Sequence, residues 1–291
     1  MSICKFYILI KLSLIIVLTN QILTSPLTTM SYVEVNSNEI SIIGNYIRTD
    51  NMKPFFQMTS IFAANINGDD PNKPYIYFNE NVSNLLHNEY DQIRVLKLKG
   101  VKVLITLLGN HQNAGWSCMT DDKAIKLFAK EIVDMIIRYD LDGLDIDDEY
   151  STCEPNLFSI EKITKSIKED QRFVGKLLTK ALWNDSFAFV NGNLSKYLDY
   201  GWEMSYQSGD FSGRLSFYEN YGMTKKKLYL GSWNNHYYPS PDELINFLKT
   251  NQYQGIMVYD MTSNSLEFLN VLCKAMFGDN VKVEYMSGLV K

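Results

Sequence analysis

Hydrophobic and polar positions along the chain change period repeatedly. From residue 31 onward, short runs rich in β-branched residues alternate with stretches whose apolar residues recur at helical spacing. That is the pattern of parallel strands joined by right-handed crossovers. Eight runs read as strands: 32–36, 59–65, 101–108, 141–147, 176–182, 202–206, 227–232 and 255–259. The clearest helix spans 123–139, where Ile125, Phe128, Ile132, Met135, Ile136 and Tyr139 form one apolar stripe and Asp121 or Asp122 supplies the N-cap. Residues 83–98 place Leu85, Leu86, Ile93, Leu96 and Leu98 between polar positions, and 157–169 has an amphipathic pattern. Residues 241–250 open with Pro241, Asp242 and Glu243 as a helix N-terminus should, and 266–277 is stopped by Gly278.

No apolar stripe runs through 183–199, and the architecture is expected to be irregular after the fifth and sixth strands. No repeat, low-complexity block or linker marks a second domain. Eight strands alternating with helices in about 265 residues fit one α/β domain, a single (β/α)8 TIM barrel over 26–291.

Residues 1–25 stand apart. Lys5 precedes an apolar stretch from Phe6 to Leu18 that is interrupted by Lys11, and Thr24, Ser25 and Pro26 follow. This is the pattern of a cleaved secretory signal peptide, and it predicts a protein that is secreted or held in the secretory-pathway lumen. The stretch is shorter than the roughly 20 apolar residues that span a bilayer, so stable membrane insertion is not expected. Removing it takes away two lysines and no acids, and the formal charge moves from −5 to −7. An acidic chain suits neither nucleic acid nor anionic lipid, and a neutral substrate fits better. Cys118, Cys153 and Cys273 remain, an odd number that leaves at least one thiol unpaired. Acceptor sequons at Asn81, Asn184 and Asn193 agree with passage through a eukaryotic secretory route.

The informative segment is 142–150, where a strand that ought to be apolar holds five carboxylates. Strand side chains alternate faces, so Asp145, Asp147 and Glu149 share one face, and Leu144 and Ile146 point to the other. The acids are therefore expected inside the barrel, about 6 to 7 Å apart along the strand. Glu149 comes last, at the C-terminal rim where barrel enzymes keep their chemistry. Crowded like charges raise at least one carboxyl into the range of a general acid. Glu149 reads as the proton donor, with Asp147 and Asp145 as a relay that shares a proton. A calcium loop needs glycine at its sixth position, where Tyr150 stands here counting from Asp145, so a cation site fits poorly.

This segment resembles the signature of glycoside hydrolase family 18, an Asp, two spacers, Asp, spacer, Asp, spacer, Glu, matched by Asp142, Asp145, Asp147 and Glu149, with Gly143 inside it. Four further stretches resemble the endo-β-N-acetylglucosaminidase branch typified by endoglycosidases H and F. They are Tyr-Val-Glu-Val-Asn at 32–36, Phe-Ala-Ala-Asn-Ile-Asn at 62–67, Phe-Asn-Glu-Asn-Val at 78–82 and Leu-Gly-Asn-His-Gln at 108–112.

The resemblance implies hydrolysis of the β-1,4 bond in the N,N′-diacetylchitobiose core of N-linked glycans, of the high-mannose class, with retention. The sugar's own acetamido group is the nucleophile, an exception to the two-carboxylate scheme. In this scheme Glu149 is acid and then base, Asp147 holds the acetamido N–H, Asp145 shares its charge and Tyr206 bonds the acetamido oxygen. Two other functions stay open: a chitinase on linear β-1,4-GlcNAc polymers, and a glycan-binding lectin without activity.

Departures from the family bear on these alternatives. Glu203 stands where bacterial relatives carry an amide, and it either adds a fourth acid or faces elsewhere. The last strand ends in Tyr259 and Asp260 where chitinases of the family usually show a tryptophan. Cys118 and Cys153 follow the neighbouring third and fourth strands, which makes them the favoured disulfide pair. Asn65, Asn67, His111 and Gln112 offer polar groups to sugar hydroxyls, and Trp116, Trp202 and Trp233 offer faces to pyranose rings, alongside Glu203, Tyr259 and Asp260 as substrate contacts. With three histidines, no spaced Cys/His set and no phosphate loop, no metal or cofactor is expected. The expected partner is an N-glycan or glycoprotein, met by a monomer.

Overall fold

In the computed structural model, which describes residues 26–183, 185–191 and 193–287, each of the eight runs forms a strand. The signal-peptide segment 1–25 and the sequon residue Asn184 lie outside the described residues. The strands are β1 (Thr28–Glu34), β2 (Met58–Asn67), β3 (Lys102–Gly109), β4 (Gly143–Asp147), β5 (Leu177–Leu182), β6 (Tyr200–Glu203), β7 (Leu228–Trp233) and β8 (Gly255–Tyr259). All pair in parallel with their neighbours in sequence, and β1 pairs with both β2 and β8. The sheet therefore closes on itself with helices between its strands, the (β/α)8 barrel. A short strand at Tyr75–Tyr77 adds antiparallel to the end of β2, and Tyr46–Arg48 pairs with Val283–Tyr285 outside the barrel.

Two apolar layers follow from the alternation of strand side chains. Inside the barrel lie Met30, Tyr32, Met58, Leu104, Ala181, Trp202, Tyr229 and Met257. Outside, Leu144, Ile146, Leu178 and Leu182 join the large core that packs strands against helices. The long helix Asp122–Arg138 contributes Ile125, Phe128, Ile132, Met135 and Ile136 to that core, and Asp121 caps it by accepting from the Ala124 N–H at 2.7 Å. Pro241–Asn251 begins with a full capping box, Ser240 and Glu243 each bonding the other's backbone N–H.

The structure departs from the expected elements in four places. The stretch 83–98 is two helices, Glu80–His87 and Asp91–Leu98. At the break the Asn88 amide donates to Asn84 and the Asn84 amide donates to Glu89, whose own N–H turns back to the Asn84 carbonyl at 3.1 Å. β1 starts at Thr28 and stops at Glu34. β6 ends at Glu203, because the Glu203 carboxylate accepts from the Ser205 N–H at 3.0 Å and turns the chain, so Tyr206 stands in the loop beyond the strand. After β6 a regular helix forms at Phe211–Asn220, capped by Asp210. Its buried side includes Arg214, whose charge hides the stripe from a reading of periodicity. After β5 the chain is irregular as expected, with two four-residue helices at Ser186–Phe189 and Leu194–Tyr197.

Gly143 lets β4 approach β5. A Cβ there would sit 2.3 Å from the Leu177 carbonyl oxygen, which is backbone and cannot yield. Gly143→Ala is therefore expected to lower stability by about 1–3 kcal/mol in denaturant unfolding. A variant as stable as the parent would show that β4 and β5 are not held at this separation.

Candidate active site

The site begins with a carboxylate where none should be tolerated without partners. Asp145 points into the barrel and is fully buried. Its Oδ2 accepts from the Tyr32 hydroxyl at 2.7 Å and from Thr106 at 3.0 Å, and its Oδ1 accepts from Thr179 at 2.6 Å and Trp202 Nε1 at 2.7 Å. Burial pushes its carboxyl above the ordinary carboxylate range, and the four donors pull in the opposite direction. With both oxygens doubly occupied, Asp145 has no lone pair left for a cation. The expected relay is corrected at this point: the hydrogen bonds of Asp145 go to those four donors, and its effect on Asp147 is through charge.

One period on, Asp147 is buried, and it hydrogen-bonds Glu149, which is half-buried at the mouth. Asp147 is held well above the usual range by burial first, then by the charges of Glu149 and Asp145. Glu149 is raised by burial first. The Lys180 ammonium and the Asp147 hydrogen bond oppose that rise, and Asp148 and Asp185 add to it. Burial more than mutual repulsion thus raises the carboxyl of the mouth acid, which corrects the sequence-based account of its cause. The Oδ1 of Asp147 is buried and has no hydrogen-bond partner among the described residues.

Above this pair opens a cavity of about 640 Å³ at the C-terminal face of the barrel. Its walls include Tyr32, Phe62, Leu108, Trp183, Tyr206, Trp233 and Tyr259, with Glu34, Asp147 and Glu149 as its carboxylates. Tyr206 and Tyr259 stack with centroids 5.9 Å apart, and Trp233 leans against both. Burial, followed by the charge of Asp147, holds the Tyr206 hydroxyl far above its usual value, so it stays a neutral donor. Tyr259 donates to Glu34, and the Glu34 N–H donates to Asp260 at 2.9 Å. Burial raises the Asp260 carboxyl to about 6, against the pull of that N–H.

Several residues expected at the cavity are elsewhere. Trp202 is fully buried below Asp145 and cannot offer a face to a sugar, because its ring fills the barrel interior. Trp116 is likewise buried, donating to the Leu107 carbonyl. Glu203 adds no fourth acid to the mouth. It faces outward and is paired with buried Arg214. Three amides are already engaged with the protein: at the end of β2, Asn65 reaches the Gly109 carbonyl at 3.3 Å and Asn67 accepts from Asn110 at 2.8 Å, and Gln112 accepts from the Gly68 N–H at 2.8 Å. His111, at positive φ, packs on the Tyr150 ring, and Asp260 lies behind Tyr259 rather than in the cavity wall. Asp142 ties β4 to β3 by accepting from the Val103 N–H at 2.9 Å. Cys118 and Cys153 form the disulfide, with Cα atoms 5.9 Å apart, joining the loops after β3 and β4, and Cys273 is buried and free. Among the sequon residues, Asn81 is exposed and bonds Asn36, and Asn193 accepts from Lys196.

Sequence reasoning missed Tyr32, Glu34 and Trp183 as cavity residues and Lys180 behind it. Glu34 carried a usable signal, since it stands two positions after Tyr32 on the same face of β1.

A parallel barrel with an acidic pair at its C-terminal mouth defines a glycosidase architecture, and comparison with known proteins agrees. The profile of glycosyl hydrolases family 18 matches residues 28–241. Endo-beta-N-acetylglucosaminidase F1 of Elizabethkingia meningoseptica is 30% identical over 275 residues, covering 86% of this chain and 78% of that protein. The endo-beta-N-acetylglucosaminidase of Flavobacterium sp. (strain SK1022) is 35% identical over 188 residues, 62% of this chain, and the match spans 59% of that relative's length. The chain belongs to glycosyl hydrolases family 18, a family of glycosidases. Bacteroides thetaiotamicron EndoBT-3987, crystallised with a Man5GlcNAc product, superposes on 90% of this chain and 63% of its own with a TM-score of 0.71 at 23% identity, a likeness of fold.

The two tryptophans make opposite predictions. Trp202→Phe removes a donor from a buried carboxylate and is expected to lower stability by about 1–3 kcal/mol in denaturant unfolding. Trp233→Ala, at a partly exposed wall position, is expected to stay within about 1 kcal/mol of the parent. Equal losses in both would refute the division between internal support and cavity wall.

Proposed function

We propose that this chain is an endo-β-N-acetylglucosaminidase that cleaves the β-1,4 bond of the N,N′-diacetylchitobiose core in N-linked glycans of the high-mannose class. Hydrolysis is substrate-assisted and retaining. The observation that carries the reading is the buried, unpartnered Oδ1 of Asp147 beside Glu149 at the base of an aromatic cavity. Such an acceptor is costly unless a donor arrives, and an acetamido N–H is a donor of the right kind. The activities named for the two curated relatives support the same choice, as does the crystallisation of EndoBT-3987 with a Man9GlcNAc2Asn substrate.

In the proposed reaction, protonated Glu149 donates to the glycosidic oxygen as its bond to the anomeric carbon breaks. The acetamido carbonyl oxygen of the same sugar bonds that carbon and forms an oxazolinium ion, whose N–H is held by the Asp147 carboxylate. Tyr206 orients the acetamido oxygen, and Trp233 and Tyr259 face the ring. Water then attacks the anomeric carbon, Glu149 takes its proton, and the acetamido group is restored. The disulfide and the leading segment 1–25 support export through the secretory pathway.

Incubation with a high-mannose glycoprotein should give a mass loss that leaves one GlcNAc on asparagine. Cleavage of chitin oligomers with the glycoprotein unchanged would make it a chitinase, and glycan binding with neither cleavage would make it a lectin. Glu149→Gln is expected to lower kcat by roughly 10²- to 10⁴-fold with the fold intact, and wild-type turnover would remove the acid. Because the proton donor must be protonated and its carboxyl is raised, kcat/KM should fall on the alkaline side only above the ordinary carboxylate range. A fall within that range would exclude Glu149 as the group that titrates.

A further inference from the structure

The outer face of β5 carries a charge that no step of this reaction uses. Leu178 and Leu182 pack there into the core between strands and helices, and Lys180 stands between them with 1% of its side chain exposed. Its Nζ lies 2.7 Å from Asp185, itself 2% exposed, and donates to the Ala181 carbonyl at 2.9 Å. Asp185 also accepts from the Tyr218 hydroxyl at 3.1 Å. A lysine in an apolar layer is tolerated only with partners of this kind. Burial works against its charge, and Asp185 and Asp148 more than restore it, so Lys180 remains an ammonium.

Its location gives that ammonium a further role. Lys180 is in register with Ile146 of β4, on the same outer face to which Asp148 projects two residues later. Asp148 is partly buried and bonded to Ser117, next to the Cys118 disulfide. The chain leaving β4 thus alternates an inward acid, an outward acid and an inward acid, and the outward one is bonded from behind by Ser117 and lies in the field of Lys180. Glu149 is faced by Asp147 and Asp148 from its own segment, by Lys180 and Asp185 from β5 and the loop after it, and by Tyr206 and Tyr150 at the mouth.

We propose that Lys180 is a positioning residue, a buried cation that anchors the Asp148 turn from outside the barrel so that Glu149 enters the mouth in the right place, and that it sets the upper pH limit of activity. The proposal rests on Glu149 being the acid. The sign follows from the charges: the ammonium favours the ionised form of Glu149, and Asp185 favours the protonated form. Removing Lys180 should move the alkaline limb to higher pH, and removing the Asp185 charge should move it to lower pH. A merely structural pair would not move the two limbs in opposite directions.

The test compares wild type, Lys180→Met, Lys180→Arg and Asp185→Asn in full-chain protein, with thermal melts and with pH profiles on a high-mannose glycopeptide. In Lys180→Met, kcat is expected to fall by roughly ten- to a hundredfold with KM little changed, the alkaline limb moves up, and Lys180→Arg restores both. In Asp185→Asn the limb moves down. An unmoved limb in folded Lys180→Met, or shifts of the same sign in both variants, overturns the proposal. If Lys180→Met does not fold, Asp185→Asn decides alone: a lower limb supports the proposal, and an unmoved or higher one overturns it. A ¹³C NMR titration of the Glu149 carboxyl, assigned by comparison with Glu149→Gln, reads the same opposite shifts without substrate. Failure of the glycopeptide to be cleaved is thereby separated from failure of the proposal.

Discussion

The structure depends on satisfying one carboxylate inside a closed barrel. Asp145 sits where an unpaired charge would be prohibitively costly, and it is made tolerable by donors from four other strands: Tyr32 of β1, Thr106 of β3, Thr179 of β5 and Trp202 of β6. This network fixes the rotation of β4 about its own axis. Once Asp145 faces inward, the two-residue period leaves Asp147 and Glu149 no choice but the same face, and the strand ends there, at the open mouth. The direction of the proposed acid is thus inherited from a buried hydrogen-bond requirement four residues earlier.

The same alternation divides the other charges. Asp142 and Asp148 face outward and are matched there, the first by the Val103 N–H and the second by Ser117 and the field of Lys180. Five carboxylates in eight residues would repel strongly in one plane, and sending two of them behind the strand relieves the crowding. What remains inside is Asp145, satisfied by its four donors, and the pair of Asp147 and Glu149, whose proton affinity is governed chiefly by the loss of water.

Most of this frame was legible in the sequence. Alternating runs specified the eight strands, the motif placed the acids on one face, and Cys118 and Cys153 were matched through the adjacency of their strands. What escaped has a common physical cause: a residue's type does not show whether the fold has already used its valences. Asn65, Asn67 and Gln112 have the chemistry of sugar ligands, and each is engaged with other parts of the protein. Trp202 has the ring of a sugar platform and is instead a donor under Asp145. Glu203 lies one residue out of phase with Trp202, so it faces Arg214 across the outer core. Lys180 was invisible because its partner Asp185 comes from the loop after β5 and its place behind Asp148 follows from strand register, and a lysine amid leucines reads as an interruption.

The coupling of Asp147 to Glu149 also bears on how the proposed acid becomes ready. In the free protein both carboxyls are raised, and Asp147, the deeper one, competes for the proton that Glu149 must deliver. An acetamido N–H placed against Asp147 favours its ionised form, as any donor to a carboxylate does. Because the two groups interact through charge, an ionised Asp147 raises the proton affinity of its neighbour. A sugar with an N-acetyl group would therefore drive the proton onto Glu149 as it binds, and a sugar with only hydroxyls at that carbon would do so less well. In the proposed reaction, selectivity for N-acetylglucosamine would then arise in the protonation of the acid as well as in the shape of the cavity, and both trace back to the face on which β4 presents its carboxylates.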